Sequence, residues 1–123
     1  MTTEKKILLV EDDEFVRESI TDLLIISGYN IDTAVNGAEG FEKISDEKPA
    51  LVICDVMMPV MDGFQLLEKL ITTGLADEIY FMFLSAKSRE ADMEKGLEMG
   101  ANDYMVKPFR NSDLLNKVEN IFT

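Results

Sequence analysis

The sequence predicts an α/β fold: a doubly wound, five-stranded parallel sheet, (βα)5, with strand order 2-1-3-4-5. Three observations predict it. Five short apolar runs alternate with five segments of helical periodicity. Most of the runs are continuous rather than alternating, as in strands buried on both faces. The 123 residues contain no linker and no low-complexity stretch, so residues 1–123 form one domain. Crossovers in such a sheet are right-handed, and the winding reverses at a crevice by the carboxyl ends of strands one and three.

The elements follow in order. The first strand is Ile7–Val10, and Val16, Ile20, Leu23, Leu24 and Ser27 then share one helical face. Asp13 is placed to cap that helix and Gly28 to stop it. A shorter, mixed second strand covers Ile31–Val35. Asn36 with Glu39 resembles a capping box for the second helix, whose stripe is Phe41 and Ile44. Leu51–Cys54 is the third strand. Asp62 with Gln65 is a second capping box, followed by Phe64, Leu67, Leu70 and Ile71, with Gly74 at the stop. Ile79–Leu84 is the fourth strand, and Leu97 alone marks the inner face of the fourth helix. Tyr104–Val106 is the fifth strand. Asn111 is placed to cap a last helix bearing Leu114, Leu115, Val118, Ile121 and Phe122.

Composition excludes several function classes. Lys and Arg total 12 against 24 Asp and Glu, giving a net charge of -12. That argues against nucleic acid or an anionic membrane as a direct partner, since both need a positive face. There is no histidine and a single cysteine, Cys54. An intramolecular disulfide, a Cys/His zinc site and a histidine base are therefore all excluded. No segment reads as a signal peptide or membrane span, and the expected location is cytoplasmic. Cys54 reads as an inert core residue.

The charged residues gather where the topology places a ligand. Strand one ends in Glu11-Asp12-Asp13, strand three in Asp55, strand four in Ser85 and strand five in Lys107-Pro108. Clustered carboxylates repel by about 4 kcal/mol per pair at 4 Å and an effective dielectric near 20. A divalent cation relieves this, and an all-oxygen set with few direct carboxylates suits Mg²⁺.

Four motifs carry a resemblance: Leu-Val-Glu-Asp-Asp (9–13), Asp-Val-Met-Met-Pro-Val-Met-Asp-Gly (55–63), Leu-Ser-Ala (84–86) and Tyr-Met-Val-Lys-Pro-Phe (104–109). Together, in this order and spacing, the chain resembles a bacterial two-component response-regulator receiver domain, CheY-like and flavodoxin-like in fold, over about residues 4–122. The resemblance implies that Asp55 is the phosphoacceptor for a kinase phosphohistidine. It implies Mg²⁺ held by Asp12, Asp55 and the backbone carbonyl of Met57, with Glu11 acting through water. Lys107 then pairs with Asp55 and later with the phosphoryl group, across a cis Lys107–Pro108 bond. Ser85 takes the Ser/Thr switch position, and Tyr104 turns inward when Ser85 moves. Met57 and Lys87, each two residues beyond Asp55 and Ser85, flank the water path that sets phosphate lifetime.

The implied partners are a sensor histidine kinase or phosphotransfer protein and a downstream protein or output domain. The latter reads helix four, strand five and helix five (88–101, 104–106, 111–122). Asp103 and Lys117 are candidates for a salt-bridged dimer face, and the expected state is a monomer or weak dimer. Both a stand-alone regulator and the receiver part of a longer chain fit this reading. Such a domain is a regulatory phosphoacceptor, not an enzyme. Three rivals compete. An aspartate-nucleophile phosphatase needs a second acid where Met57 stands. A flavin-binding module needs a Gly/Ser/Thr-rich loop where Glu11-Asp12-Asp13-Glu14 stands. A degenerate receiver would bind partners without phosphorylation.

Overall fold

The computed structural model describes residues 6–87 and 89–123. Residues 1–5 and Ser88, the first residue of the expected partner face, lie outside the described residues. The elements are β1 (Lys6–Val10), α1 (Glu14–Ile26), β2 (Asn30–Ala34), α2 (Gly37–Glu47), β3 (Leu51–Cys54), α3 (Gly63–Thr72), a 3-10 turn over Leu75–Glu78, β4 (Tyr80–Ser85), α4 (Glu90–Met99), β5 (Asp103–Val106) and α5 (Asn111–Ile121). The strands form one sheet in the order β2-β1-β3-β4-β5, every pairing parallel. This is the fold class and strand order read from the sequence.

Period-two alternation along the strands divides the core in two. Leu8, Val10, Val52, Cys54, Phe81 and Phe83 face one side, against Ile44 of α2 and Leu66, Leu67 and Leu70 of α3. Ile7, Leu9, Leu51, Ile53, Met82 and Leu84 face the other, against Ile20 and Leu24 of α1 and Leu114 and Val118 of α5. Since both faces of β1, β3 and β4 are covered, each of those strands needs apolar side chains at every position. The helices in turn leave their carboxyl-edge loops free to carry polar groups.

Local signals were mostly correct and fail in instructive places. Asp13 accepts the Val16 N–H at 3.0 Å. Asp62 and Gln65 close a full capping box. At α2 the box is only half made: Asn36 accepts the Glu39 N–H, but the Glu39 carboxylate turns back to the Val35 N–H at 2.7 Å. Asn111 is not a cap but the first helical residue, preceded by Arg110, which makes no side-chain cap bond. Leu97 does not mark the inner face of α4; it is 46% exposed, and Gly96 faces inward instead. Ile71 and Ser27 likewise face solvent, while Leu66 joins the core. Strand β2 ends at Ala34, leaving Val35 outside it, and β4 runs on to include Ser85.

Two ion pairs sit on the outer strands. Lys43 of α2 donates to the Asp32 carboxylate at 3.2 Å and to the Thr33 carbonyl at 2.6 Å. Lys117 of α5 donates to Asp103 at 2.7 Å. The latter pair, a candidate for a dimer face, is thus closed within one chain.

Candidate functional site

Parallel pairing places the ends of β1, β3, β4 and β5 side by side, so the residues that end them meet at one edge. The arrangement brings one ligand oxygen each from Glu11, Asp12 and Asp55 within 4.8 Å of one another. The Lys107 ammonium enters from β5. Its Nζ donates to Glu11 Oε1 at 2.7 Å and to Asp55 Oδ2 at 3.3 Å. Asp55 Oδ1 accepts the N–H of Val56 at 2.7 Å, which fixes the carboxylate plane. The Lys107–Pro108 peptide is cis, as expected.

Glu11 is 2% exposed, and Asp12 beside it is exposed. Burial raises the Glu11 pKa, and the Asp55 charge raises it further, while the Lys107 hydrogen bond works the other way. Burial works against the Lys107 charge, yet Glu11 and Asp55 together outweigh it and hold the ammonium above its usual pKa. Cys54, just inside Asp55, is fully buried, and desolvation pushes its thiol well above the ordinary range. It is an inert core thiol.

The surrounding backbone is tied down. Arg17 Nη1 donates to the carbonyls of Glu11 at 2.9 Å and Asp12 at 3.3 Å, clamping the β1–α1 loop. The Gly63 N–H donates to the Val56 carbonyl at 2.8 Å. A Cβ at Gly63 would collide with the Asp55 carbonyl oxygen, so only glycine lets α3 start this close to the loop that follows β3. Met57 stands in that loop, two residues beyond Asp55, with its side chain exposed.

Ser85 and Tyr104 meet through Lys87. The Lys87 N–H donates to the Ser85 hydroxyl at 3.1 Å, and the Tyr104 hydroxyl donates to the Lys87 carbonyl at 2.8 Å. Tyr104 is buried, its ring 5.7 Å from that of Phe83. The expected inward turn of Tyr104 thus starts from a ring that is already inside. The reason is Gly96, which the sequence reading passed over. A Cβ there would lie 3.0 Å from Phe83 Cδ2 and 3.2 Å from Tyr104 Cδ2. Its signal was available: glycine inside a helix costs about 1 kcal/mol relative to alanine and marks a close approach.

Gly96→Ala is expected to destabilise the protein by about 1 kcal/mol despite better helix propensity, because over-packing a rigid site costs about 1–3 kcal/mol. Phe83 cannot give way, being held by Phe64 and Phe81 as well as Tyr104. Urea unfolding and the ring resonances of Tyr104 measure this. A stabilised variant with an unmoved Tyr104 would show slack in the contact.

As an all-oxygen set with one recessed and one exposed acid beside Asp55, Glu11, Asp12 and Asp55 fit Mg²⁺. Comparison with known proteins agrees with the geometry. The family described as "Response regulator receiver domain" matches residues 7–119. The Mycobacterium sp. (strain KMS) "Response regulator MprA" is 37% identical over 113 residues, covering 92% of this chain and 48% of that protein. The chain therefore spans about half the length of that relative. The Vibrio cholerae chemotaxis protein CheY4 superposes with a TM-score of 0.89 at 27% identity, covering 97% of this chain and 99% of that one. A CheY-like receiver domain protein from Methanospirillum hungatei JF-1 gives 0.87 at 30% identity, covering 96% and 93%.

Proposed function

Because this chain belongs to the response regulator receiver domain family, we propose that Asp55 accepts a phosphoryl group from a partner's phosphohistidine and that residues 1–123 work as one receiver unit. It is a signalling regulatory domain, and the phosphoacceptor role is stoichiometric rather than enzymatic turnover. The observation that carries the reading is the Lys107 ammonium shared between Asp55 and Glu11 beside Asp12.

The step is a displacement at phosphorus. Asp55 Oδ attacks, the P–N bond to the donor imidazole breaks, and its electron pair returns to the ring nitrogen, which takes a proton from solvent. The product is an acyl phosphate on Asp55. Lys107 already lies 3.3 Å from the acceptor and follows the charge onto the phosphoryl oxygens. Asp12 and Asp55, with the Met57 carbonyl and with Glu11 through water, would hold Mg²⁺. When bound, the ion supplies neutralisation of the incoming phosphoryl charge.

The Ser85 hydroxyl can donate to a phosphoryl oxygen. Reorienting for this loosens its hold on the Lys87 N–H. The Lys87 carbonyl holds Tyr104, so the change is passed to α4, β5 and α5. That face serves a downstream protein or output domain, and the donor is a sensor histidine kinase or phosphotransfer protein. No described helix is long and apolar enough to cross a membrane; we place the domain in the cytoplasm, with the ATP its kinase needs.

Intact mass after incubation with acetyl phosphate and Mg²⁺ tests the reading. A gain of one phosphoryl group supports it; no gain from acetyl phosphate or any kinase leaves a phosphorylation-independent binding module. A separate result is expected for the ion. Mg²⁺ should raise the melting temperature, its stabilisation of the fold reaching about 2.7 kcal/mol at 100 times its Kd. Asp12→Ala should remove most of it; an undiminished gain would move the ion elsewhere.

A further inference from the structure

Asp12, one of the three clustered acids, also lines a cleft of about 580 Å³ between the loop after β3 and α4. Met57, Phe64, Lys87 and Lys95 line it too. Met57 is 63% exposed, and it stands two residues beyond Asp55.

That exposure sets Met57 apart from the other methionines of the described residues. Met58, Met61, Met93 and Met99 pack against one half of the core and Met105 against the other, while Met82 is buried inside it. An oxidant in solution therefore reaches the Met57 thioether first, because oxidation follows exposure. Oxidation at a packed methionine puts a polar oxygen into an apolar contact and disrupts it. At Met57 the fold has no such contact to lose. The cleft is also suited to the product. Lys87 and Lys95 line it, with Lys95 Nζ 4.3 Å from the centroid of the Phe64 ring. An ammonium only donates hydrogen bonds, and a thioether is a poor acceptor for them. A sulfoxide oxygen is a strong one.

We propose that Met57 is a reversible oxidation site through which peroxide shortens the life of an acyl phosphate on Asp55. The inference rests on the phosphoacceptor reading above. The sulfur lone pair attacks one peroxide oxygen, an S–O bond forms and the O–O bond breaks. The departing oxygen takes the proton of the transferred one and leaves as water. Sulfur gives up two electrons, and the peroxide is reduced by the same two. As a thioether, Met57 gives water little to bind on its side of Asp55. As a sulfoxide it holds water there by hydrogen bonds, and water is the nucleophile that ends an acyl phosphate. A thiol-dependent sulfoxide reductase removes the oxygen as water while two thiols join in a disulfide, which restores the thioether.

The test treats wild type and Met57→Leu with hydrogen peroxide, which catalase then destroys. Fragmentation of the peptide carrying residues 57–61 locates the added oxygen. Both proteins, treated and untreated, are next labelled with acetyl phosphate and Mg²⁺, and the decay of the label is followed after the donor is removed. In wild type the first oxygen on residues 6–123 should fall on Met57, with the melting temperature within about 1 °C of the untreated protein. The half-life of the label should shorten by about threefold or more, and sulfoxide reductases for both epimers, with dithiothreitol, should restore it. The half-life of Met57→Leu, whatever its own value, should not respond to peroxide. A first oxygen on another methionine of those residues overturns the proposal. So does an unchanged half-life in oxidised wild type, or an equal response in Met57→Leu. An untreated wild type that takes no label overturns the phosphoacceptor reading, and the proposal with it.

Discussion

Asp55→Asn leaves the protein folded and lowers phosphoryl uptake by at least about 1000-fold, the scale on which losing a nucleophile costs an active site. The amide is near-isosteric, and its oxygen still accepts the Val56 N–H that now meets Asp55 Oδ1 at 2.7 Å. What it lacks is the anionic oxygen that the proposed transfer needs. Stability should stay within about 1 kcal/mol of wild type, since two effects oppose each other. The variant loses the attraction of Lys107 at 3.3 Å. It also loses the repulsion of Asp55 by Glu11 and Asp12, whose ligand oxygens lie within 4.8 Å. Intact mass and urea unfolding of one preparation read both quantities. Labelled phosphate on the variant would move the acceptor to another residue.

Lys107→Met carries the largest expected cost to stability. The ammonium is the direct cationic partner of Glu11, which is 2% exposed. Breaking a buried pair by removing one partner costs about 3–5 kcal/mol, because the other charge is left stranded. Lys107 is not wholly buried, so about 3 kcal/mol at neutral pH is expected. The pH dependence has a definite sign. The folded-state pKa of Glu11 lies above its ordinary value of 4.5, through burial first and Asp55 second. A carboxyl raised in this way favours the fold when protonated and loses that contribution as pH rises through the folded pKa. Without Lys107 the Glu11 pKa climbs further, so the variant's deficit should shrink on acidification towards 4.5 and also with Mg²⁺. In the wild type Lys107 runs the opposite course at alkaline pH. Its folded pKa lies above 10.5, so its contribution is complete below 10.5 and is lost as pH rises through the folded value. Urea unfolding across the acid range measures the deficit; one that stays constant with pH would mean that Glu11 is not the stranded charge.

The carboxyl-edge cluster was legible because fully buried strands announce their own ends. Leu51-Val52-Ile53-Cys54 has no polar residue until Asp55, and Ile7–Val10 none until Glu11. Parallel order then puts those ends together, and the four motifs carry the roles that the resemblance implies. The interior of α4 was not legible. Its packing residue is Gly96, which has no side chain to register in an apolar stripe, while Leu97 next to it points outward. The state of Tyr104 followed from that same missing methyl, and so was hidden with it. Cap identities failed by one residue at α5 because Asn111 is a good cap only if the chain turns after it, and here the helix has already begun. Val60 has a φ of 70°, and this leaves no trace in residue type, since valine is the opposite of what a positive φ favours.

The two lysines on the outer strands bear on how the protein behaves when crowded. An open sheet has two rims, and unpaired amides and carbonyls there template the addition of foreign strands. On β2 the Ala34 carbonyl turns inward to the Glu11 N–H, so by alternation the amide and carbonyl of Thr33 point away from the sheet. Both are occupied: the amide by Asp32 at 2.7 Å and the carbonyl by Lys43 at 2.6 Å. On β5 the Lys107 N–H turns inward to Ser85, so the Tyr104 amide points outward, and Asp103 holds it at 2.8 Å with Lys117 on its other oxygen. An aspartate from the strand and a lysine from the neighbouring helix thus plug each rim of the sheet. The same four side chains that look like ordinary surface ion pairs thus blunt both edges of the sheet against the addition of a foreign strand.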